Sequence, residues 1–308
     1  MPIHLAPTSR RAFLNRLALG GASLTLAGAL PRPALGGADE PSGGYVALLA
    51  DTHIDADAGK LVHGDVNLSA NFRAVVADVL AQPEPPAALV VVGDLALKNG
   101  KAGDYERFLE IVAPLRERGI PIHLTLGNHD DRANFRQALK REDDVAADRC
   151  SAVVEAAGLR LILLDSLDQV DQVPGLLGDS QRAWLETTLD AAPDSPTIVL
   201  VHHHPDLSPE PAPGALQDSA ALFEAIRPRK QVKALVFGHT HTWRRWEDDG
   251  MHLLNLPAVA YHFATPQPLG WCRLQPRPDG RGAALLLSCT AGDRSKHGER
   301  AELAWRGA

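Results

Sequence analysis

Short apolar runs alternate with longer amphipathic stretches through the middle of this chain. The runs are rich in Val, Leu and Ile and occupy residues 45–50, 88–92, 120–126, 159–164, 197–202 and 234–237. Between them, the spacing of apolar residues predicts helices over residues 68–80, 104–118, 132–140, 180–189 and 219–226. Buried strands that alternate with helices are typical of an α/β protein with a largely parallel sheet.

The last quarter of the chain has a different pattern. Residues 251–256, 270–275 and 283–289 are strand-like without helical stretches between them, and Pro-Asp-Gly at 278–280 predicts a hairpin turn. Cys272 and Cys289 lie on the two strands of this hairpin, where they form either a disulfide or two buried free thiols. No internal repeat or long low-complexity segment interrupts residues 39–308, which we expect to form one domain.

The first 38 residues have the features of an export signal. They contain Arg10, Arg11, Arg16 and Arg32 and no acidic residue. Their uncharged run at 17–30 is shorter than the roughly 20 residues of a membrane span but suits a signal-peptide core. Residues 9–14, Ser-Arg-Arg-Ala-Phe-Leu, resemble the twin-arginine export signal, and small residues at 36–38 suit processing. We expect the twin-arginine machinery as a partner and an exported, periplasmic or extracytoplasmic mature protein; the alternative is a disordered basic tail.

Charge excludes several kinds of partner. The chain has 31 basic and 38 acidic side chains, a net charge of −7. Without the four arginines of residues 1–38, 27 basic side chains remain against 38 acidic ones, a net charge of −11. An acidic chain without a basic run is not expected to bind a nucleic-acid duplex or an anionic membrane through a broad cationic face. No further long apolar run follows, so we expect no stable membrane insertion after signal removal.

Five polar clusters follow five of the apolar runs directly. They are Asp51-Thr52-His53, Gly93-Asp94, Gly127-Asn128-His129-Asp130, His202-His203-His204-Pro205 and Gly238-His239-Thr240-His241. Ligands bind beyond the carboxyl ends of strands in open α/β sheets, so these clusters should meet in one crevice. In an extended segment, residues two apart face the same side, which predicts that Asp51 acts with His53 and His239 with His241.

The donor atoms of these clusters predict a metal site. Each cluster alone has an ordinary explanation, because Asp and His after a strand often serve as helix caps or turn residues. Together they supply carboxylates, imidazoles and one amide without a thiolate, a set that suits Mn, Fe, Zn or Co. The number of candidate ligands exceeds what one ion accepts but suits two divalent ions bridged by a carboxylate, the usual clamp for displacement at phosphorus.

Six of the 13 histidines lie outside the five polar clusters. These six, expected to be ordinary, are His4, His63, His123, His252, His262 and His297.

The order of the five clusters, D-x-H, GD, GNH[DE], H-x-P and GH-x-H, resembles that of the calcineurin-like metallophosphoesterases over about residues 45–265. The resemblance implies a four-layer α/β/β/α sandwich of two mixed sheets with a dinuclear site between their edge loops. It implies that Asp51, His53 and His241 hold one ion, that Asn128, His203 and His239 hold the other, and that Asp94 bridges them. His129 would be a non-ligand histidine that meets the phosphate or the leaving group.

Within that family, the chain resembles the class III cyclic nucleotide phosphodiesterases. The supporting residues include Tyr105 and Phe108 after the GD motif, Asp131-Arg132 after GNHD, Asp165-Ser166, and Gln181 with Trp184-Leu185. The resemblance implies that metal-activated hydroxide hydrolyses a small-molecule phosphodiester, with 3′,5′-cyclic nucleotides as one candidate. Asn128 and His129 would be catalytic, the former holding non-bridging oxygens and the latter, if protonated, stabilising the leaving alkoxide.

Two other functions remain open at this stage. One is a phosphomonoesterase of the acid phosphatase or nucleotidase kind with the same metals, which would differ in the size of the pocket mouth. Loops 55–67 and 206–217 are expected to shape that mouth. The more remote alternative is a non-catalytic binding module on this fold.

Overall fold

The computed structural model describes residues 4–5, 44–139, 149–263 and 266–307. Most of the predicted export signal therefore lies outside the described residues. Its residues 4 and 5 form a short strand, which runs antiparallel to residues 122 and 123.

Fifteen strands and five α-helices lie in the described residues. The strands are β1 His4–Leu5, β2 Val46–Leu49, β3 Leu61–Val62, β4 Val66–Asn67, β5 Ala88–Val92, β6 Ile122–Thr125, β7 Ala152–Ala156, β8 Leu159–Leu163, β9 Thr197–Leu200, β10 Val232–Phe237, β11 Arg244–Asp248, β12 Met251–Asn255, β13 Pro268–Pro276, β14 Gly282–Gly292 and β15 Arg300–Ala304. The helices are α1 Leu68–Leu80, α2 Ala102–Glu117, α3 Arg132–Ala138, α4 Asp179–Asp190 and α5 Ser219–Ile226. None of these described helices is long and apolar enough to cross a membrane.

The larger strands form two mixed sheets. The first has the order β1-β6-β5-β2-β13-β14-β15, in which β2, β5 and β6 are parallel to one another. The second has the order β11-β12-β10-β9-β8-β7, in which β8, β9, β10 and β12 are parallel. The expected parallel strands form the centre of each sheet, and the antiparallel hairpin predicted for the last quarter of the chain, β13–β14, flanks the first sheet.

The alternation of side chains along the strands divides the apolar core into three layers. In β2, Val46 and Leu48 pack in the cluster that includes Ile198 and Leu200 of the second sheet. The intervening β2 residues pack instead with α1 and α2, while the other face of β9 packs with α4 and α5. Each sheet thus buries both faces, and the predicted four-layer α/β/β/α sandwich is confirmed.

The elements missing from the sequence prediction are short or lie at sheet edges. Helix α1 has its predicted bounds and α2 begins two residues before its predicted start. Strands β11 and β15 were not predicted because both carry arginine and acidic residues along solvent-facing positions, so they lack a continuous apolar run.

The three cysteines are free thiols, and all three are buried. On the β13–β14 hairpin, Cys272 lies opposite Leu287 and Cys289 lies opposite Gly270. The two thiols therefore occupy different rungs of the ladder. Of the two alternatives for this pair, the buried free thiols are the correct one.

Candidate metal centre

The five polar clusters converge where the strands of both sheets end. Three follow β2, β5 and β6 of the first sheet, and two follow β9 and β10 of the second. The His239 amide donates to both carboxylate oxygens of Asp51 at 3.1 Å, which links the loops of the two sheets. The crevice predicted from the strand ends is therefore present, and it lies between the sheets.

One group of ligand atoms comes from Asp51, His53 and His241. All three residues are buried, and one ligand atom from each lies within 4.8 Å of the others. The Nε2 atoms of His53 and His241 are only 3.0 Å apart, and His241 Nε2 is 3.4 Å from Asp51 Oδ1. Two imidazole nitrogens at this distance need a proton or a cation between them, so the group fits a metal ion.

A second group comes from His202, His203 and His239, again with ligand atoms within 4.8 Å of one another. Beside it, His203 Nε2 and Asn128 Oδ1 are buried and have no hydrogen-bond partner. Leaving buried polar atoms unpaired costs about 1–3 kcal/mol each unless another ligand satisfies them. Both atoms belong to the set predicted for the second ion, and the donor set fits such an ion.

Asp94 lies between the two groups. Its Oδ2 is 3.6 Å from His53 Nε2 and 3.2 Å from His202 Nε2, while its Oδ1 accepts a hydrogen bond from the His129 amide at 3.0 Å. This carboxylate reaches both groups, as a bridging ligand must.

The backbone at these residues differs from the extended form assumed in the sequence analysis. Positive φ angles occur at Asp51 (57°), His53 (46°), Asp94 (49°), His239 (70°) and His241 (51°). The expectation that alternation along an extended strand pairs these side chains is therefore wrong. Asp51 and His53 do converge, whereas His239 and His241 belong to different ligand groups. Left-handed conformations of non-glycine residues are costly and persist where the surrounding structure imposes them, commonly at functional sites.

The neighbouring glycines provide space as well as turns. Gly93 has a φ of +74°, which suits glycine. A Cβ atom at Gly127 would lie 2.2 Å from Asp94 Oδ1, and one at Gly238 would lie 2.5 Å from Asp51 Oδ2. Any larger residue at these two positions would displace a candidate ligand.

Hydrogen bonds to Nδ1 orient several of the imidazoles. His241 Nδ1 donates to the Tyr261 carbonyl at 2.7 Å, and His53 Nδ1 donates to the Leu97 carbonyl at 3.3 Å. His203 Nδ1 is 2.7 Å from the hydroxyl of Ser166. Each contact leaves Nε2 available toward the centre, the arrangement by which outer residues fix the orientation of metal-binding histidines.

Burial keeps several of these imidazoles neutral. It lowers the pKa of His53 to about 4 and that of His239 to about 3, and it lowers the pKa of His203 as well. Burial raises the pKa of Asp94. His202, His53 and His129 lower it by more, so the pKa of this carboxyl lies well below its usual range. At neutral pH, His53, His203 and His239 are therefore neutral and Asp94 is ionised, the forms that bind cations.

His129 lies beside the centre and is partly exposed. Its ring is 5.3 Å from that of His53, and its Nδ1 donates to the Lys98 carbonyl at 2.8 Å. The same Nδ1 is 3.5 Å from Asp171, so two acceptors hold the ring in place.

The sequence pattern predicts no role for His202, yet the structure places it inside the centre. Its side chain is fully buried, and its Nε2 lies 3.3 Å from His239 Nδ1. Burial lowers the pKa of His202, but the adjacent Asp94 outweighs burial and raises it to about 9. The three-histidine run was the only sequence signal, and it did not distinguish His202 from its neighbours.

Asp130 is a second residue without a role in the sequence analysis. It is buried, and it accepts hydrogen bonds from the amides of Leu95 and Ala96 at 3.1 Å and of Gly127 at 2.9 Å. These contacts join the loop that carries Asp94 to the loop that carries Asn128, so Asp130 positions the Asp94 carboxylate.

A cavity of about 880 Å³ adjoins the centre. Its lining includes residues of the predicted mouth loop 55–67, among them His63 and Asp65, together with Tyr261, His262 and Phe263 from the loop after β12. His63 and His262, expected to be ordinary, thus line a cavity next to the candidate metal ligands.

Comparison with known proteins identifies related families and folds. A family model described as calcineurin-like phosphoesterase matches residues 44–243. The 3′,5′-cyclic adenosine monophosphate phosphodiesterase CpdA of Vibrio vulnificus is 32% identical over 219 residues, which are 70% of this chain and 76% of the relative. The glycerophosphodiester phosphodiesterase GpdQ of Enterobacter lignolyticus is 28% identical over 70% of this chain and 77% of the relative.

A solved structure shares the fold. The dimetal phosphatase from Danio rerio superimposes with a TM-score of 0.65 at 14% identity, covering 86% of this chain and all of that protein. At this identity the likeness shows the architecture alone.

Proposed function

This chain belongs to the calcineurin-like phosphoesterase family and is a metal-dependent phosphodiesterase, and from this premise we propose that its substrates are 3′,5′-cyclic nucleotides. The observation that carries the assignment of the site is the pair of buried, unpartnered atoms His203 Nε2 and Asn128 Oδ1 beside Asp94. The substrate class is supported by the relatives, among which are several 3′,5′-cyclic adenosine monophosphate phosphodiesterases.

We propose the ligand sets as follows. Asp51, His53 and His241 hold one divalent ion, Asn128, His203 and His239 hold the other, and Asp94 bridges them. Ions of the Mn, Fe, Zn or Co class suit these oxygen and nitrogen donors. When bound, two such ions neutralise phosphate charge and activate water for attack on phosphorus.

The remaining steps belong to side chains of this chain. His129 donates its Nδ1 proton to the Lys98 carbonyl, which leaves Nε2 free to protonate the leaving oxygen when the ring carries a second proton. Asn128 would hold an ion through Oδ1, which would leave its amide nitrogen to donate a hydrogen bond to a non-bridging phosphate oxygen. Asp171, 3.5 Å from His129 Nδ1, helps to hold the ring in this orientation.

The test compares three substrates with the Mn-loaded protein that lacks residues 1–38. We expect turnover of 3′,5′-cyclic AMP and of an aryl phosphodiester to exceed turnover of an aryl phosphomonoester. Monoester turnover far above both diesters would instead support a phosphomonoesterase. Absence of hydrolysis together with absence of stoichiometric metal would support a binding module.

Two variants test the residue roles. Asp94→Ala should reduce turnover by more than about 100-fold and bring the metal content below two ions per chain. His129→Ala should reduce turnover by about 100-fold or more while metal content stays near two. The exposed Asp194→Ala serves as the control and should change neither quantity. Two retained ions and near-full turnover in Asp94→Ala would contradict the bridging role.

We also propose that the chain is exported by the twin-arginine machinery and acts outside the cytoplasm. The proposal rests on Arg10 and Arg11 followed by the apolar run at 17–30. Replacing both arginines by lysine should leave the unprocessed chain in the cytoplasm of a bacterial host. Arg16→Lys is the matched control and should not affect export. Unchanged export of the double variant, measured by fractionation and intact mass, would refute this route.

A further inference from the structure

Aromatic side chains that line the cavity also contact the candidate ligand histidines. The Tyr261 ring lies 5.1 Å from that of His53 and 4.7 Å from that of His241, and Phe263 stacks on His241 at 4.4 Å with 19° between the planes. Both Tyr261 and Phe263 also line the cavity. A molecule whose phosphate lies at the centre would reach this space past the rings of Tyr261 and Phe263. The size of the cavity is ordinary for a small-molecule site.

The opposite side of the centre has less room. A Cβ atom at Gly175 would lie 2.3 Å from the His203 ring, and one at Gly214 would lie 3.1 Å from His239 and 2.9 Å from Val173. Backbone thus packs closely against the histidines of the second ligand group. The organic part of a bound ester would therefore have more room on the Asp51, His53 and His241 side, where the cavity lies.

The walls of the cavity suit a flat, uncharged ring. His63 lies against Tyr261, with the ring centroids 4.5 Å apart, and Leu269 contributes aliphatic surface. Neither lysine nor arginine occurs among the described lining residues, and the exposed carboxylate of Asp65 disfavours a second phosphate there. The chemistry of this lining favours a nucleobase over a polyphosphate.

Phe263 is the most distinctive part of the lining. It is 56% exposed although it is a large apolar residue with one face on His241. Its other side remains available to a ligand, and stacking of a base on an aromatic side chain stabilises binding appreciably.

We propose that this cavity is the subsite for the nucleobase of the substrate, with Phe263 as the stacking surface and Tyr261 and His63 as its walls. The assignment rests on the proposed hydrolysis of cyclic nucleotides, which it deepens by naming the residues that select the base. Phe263 acts in binding and not in the chemical step.

The kinetic test compares two cyclic diesters. One is 3′,5′-cyclic AMP, and the other is the cyclic phosphate of 1,3-propanediol, which has the same six-membered ester ring without a base. Phe263→Ala should raise KM for cyclic AMP by about 5- to 150-fold, leave kcat unchanged, and leave KM for the base-free diester unchanged. Phe263→Tyr should retain the native KM. Asp194→Ala, at an exposed position in the loop after α4 and outside the cavity lining, is the control and should change neither KM.

A binding measurement separates this proposal from the proposed function. Adenosine has no phosphate, so calorimetric titration of the metal-free protein with adenosine reports on the cavity alone. We expect binding to the native chain and its loss in Phe263→Ala. If neither diester is hydrolysed, the proposed function fails while adenosine still tests the cavity. Three results would overturn the nucleobase assignment. They are an equal change in KM for both diesters, an unchanged KM for cyclic AMP, and calorimetric binding of choline without binding of adenosine.

Discussion

At the scale of single residues, the candidate ligands occupy conformations that their own chemistry disfavours. Asp51, His53 and His241 all have φ angles near +50°, and each is fully or almost fully buried. A left-handed conformation costs a non-glycine residue about 1–2 kcal/mol. Packing and hydrogen bonds from both sheets must therefore impose these angles, and they turn the side chains toward one another.

Ser166 should control the orientation of one of these ligands. Its hydroxyl is 2.7 Å from His203 Nδ1 and is buried. Ser166→Ala removes this contact, so we expect affinity for one of the two ions to fall about 10- to 100-fold while the other stays bound. Metal content after equilibration at buffered free-metal concentrations measures the change. Ser195→Ala, in the loop after α4, is the control, and unchanged affinity for both ions would contradict the role of Ser166.

The buried imidazoles predict how the stability of the metal-free protein depends on pH. His53 and His239 have folded pKa values of about 4 and 3, below the ordinary 6.5, because they are buried. The unfolded chain therefore binds more protons below pH 6.5, and stability falls as pH falls toward 4. Burial also raises the pKa of Asp130 to about 7, an opposing effect that offsets part of this loss.

His202 changes the pH dependence of stability in the opposite sense to His53 and His239. Burial lowers its pKa, but Asp94 raises it to about 9, so its contribution is complete below pH 6.5 and is lost as pH rises toward 9. We expect chelator-treated protein to have its highest urea-unfolding midpoint near pH 6.5. His202→Gln should abolish the decrease between pH 6.5 and 8.5. A native midpoint that is constant over that interval would contradict the assignment of a charged His202.

At the scale of elements, the strands bring the ligands to one edge, and the loops place them. Asp130 connects the loops after β5 and β6 by accepting amide hydrogen bonds from both. Such contacts link loops that come from different parts of the chain, so neither loop has its final shape alone.

The turn between β7 and β8 offers a test of backbone strain away from the metal centre. Ala157 and Gly158 connect these antiparallel strands with φ angles of 51° and 74°, the pattern of a type I′ turn. Asparagine tolerates a positive φ better than alanine, so Ala157→Asn should increase the free energy of unfolding by about 1 kcal/mol. Ala183→Gly, at an exposed position inside α4, should instead decrease it by about 1 kcal/mol. Urea denaturation measures the free energy of unfolding of both variants. Destabilisation by Ala157→Asn would contradict backbone strain at Ala157.

At the scale of the whole molecule, the metal centre joins the two sheets. Its candidate ligands come from loops of both sheets, and the amide of His239 reaches the carboxylate of Asp51 across the junction. Bound ions would therefore stabilise the packing of one sheet on the other, and their removal should affect global stability.

Metal removal should lower the unfolding temperature measurably. A ligand at about 1,000 times its Kd stabilises the folded state by about 4 kcal/mol, so we expect chelation to remove stability of this order. Differential scanning calorimetry across a series of free Mn²⁺ concentrations would measure the effect. Asp94→Ala should show little dependence on Mn²⁺. A native unfolding temperature independent of metal would contradict a dinuclear site formed by these loops.

The sequence by itself determined the elements and the chemistry of the donors. Apolar runs and helical spacing depend on local side-chain pattern, so they predicted the central strands and most helix bounds. Polar clusters at strand ends predicted which residues would meet, because parallel strands place their carboxyl ends at one edge. Edge strands such as β11 were not predicted because their polar residues face solvent and interrupt any apolar run.

Only the tertiary structure decided how those residues meet. The left-handed backbone of Asp51 and His241, the place of His202 between Asp94 and His239, and the loop contacts of Asp130 all depend on residues distant in the chain. The cavity beside Phe263 likewise combines segments near residues 63 and 261. Pattern along the chain records local preference, whereas these features arise from packing between segments, which no local pattern encodes.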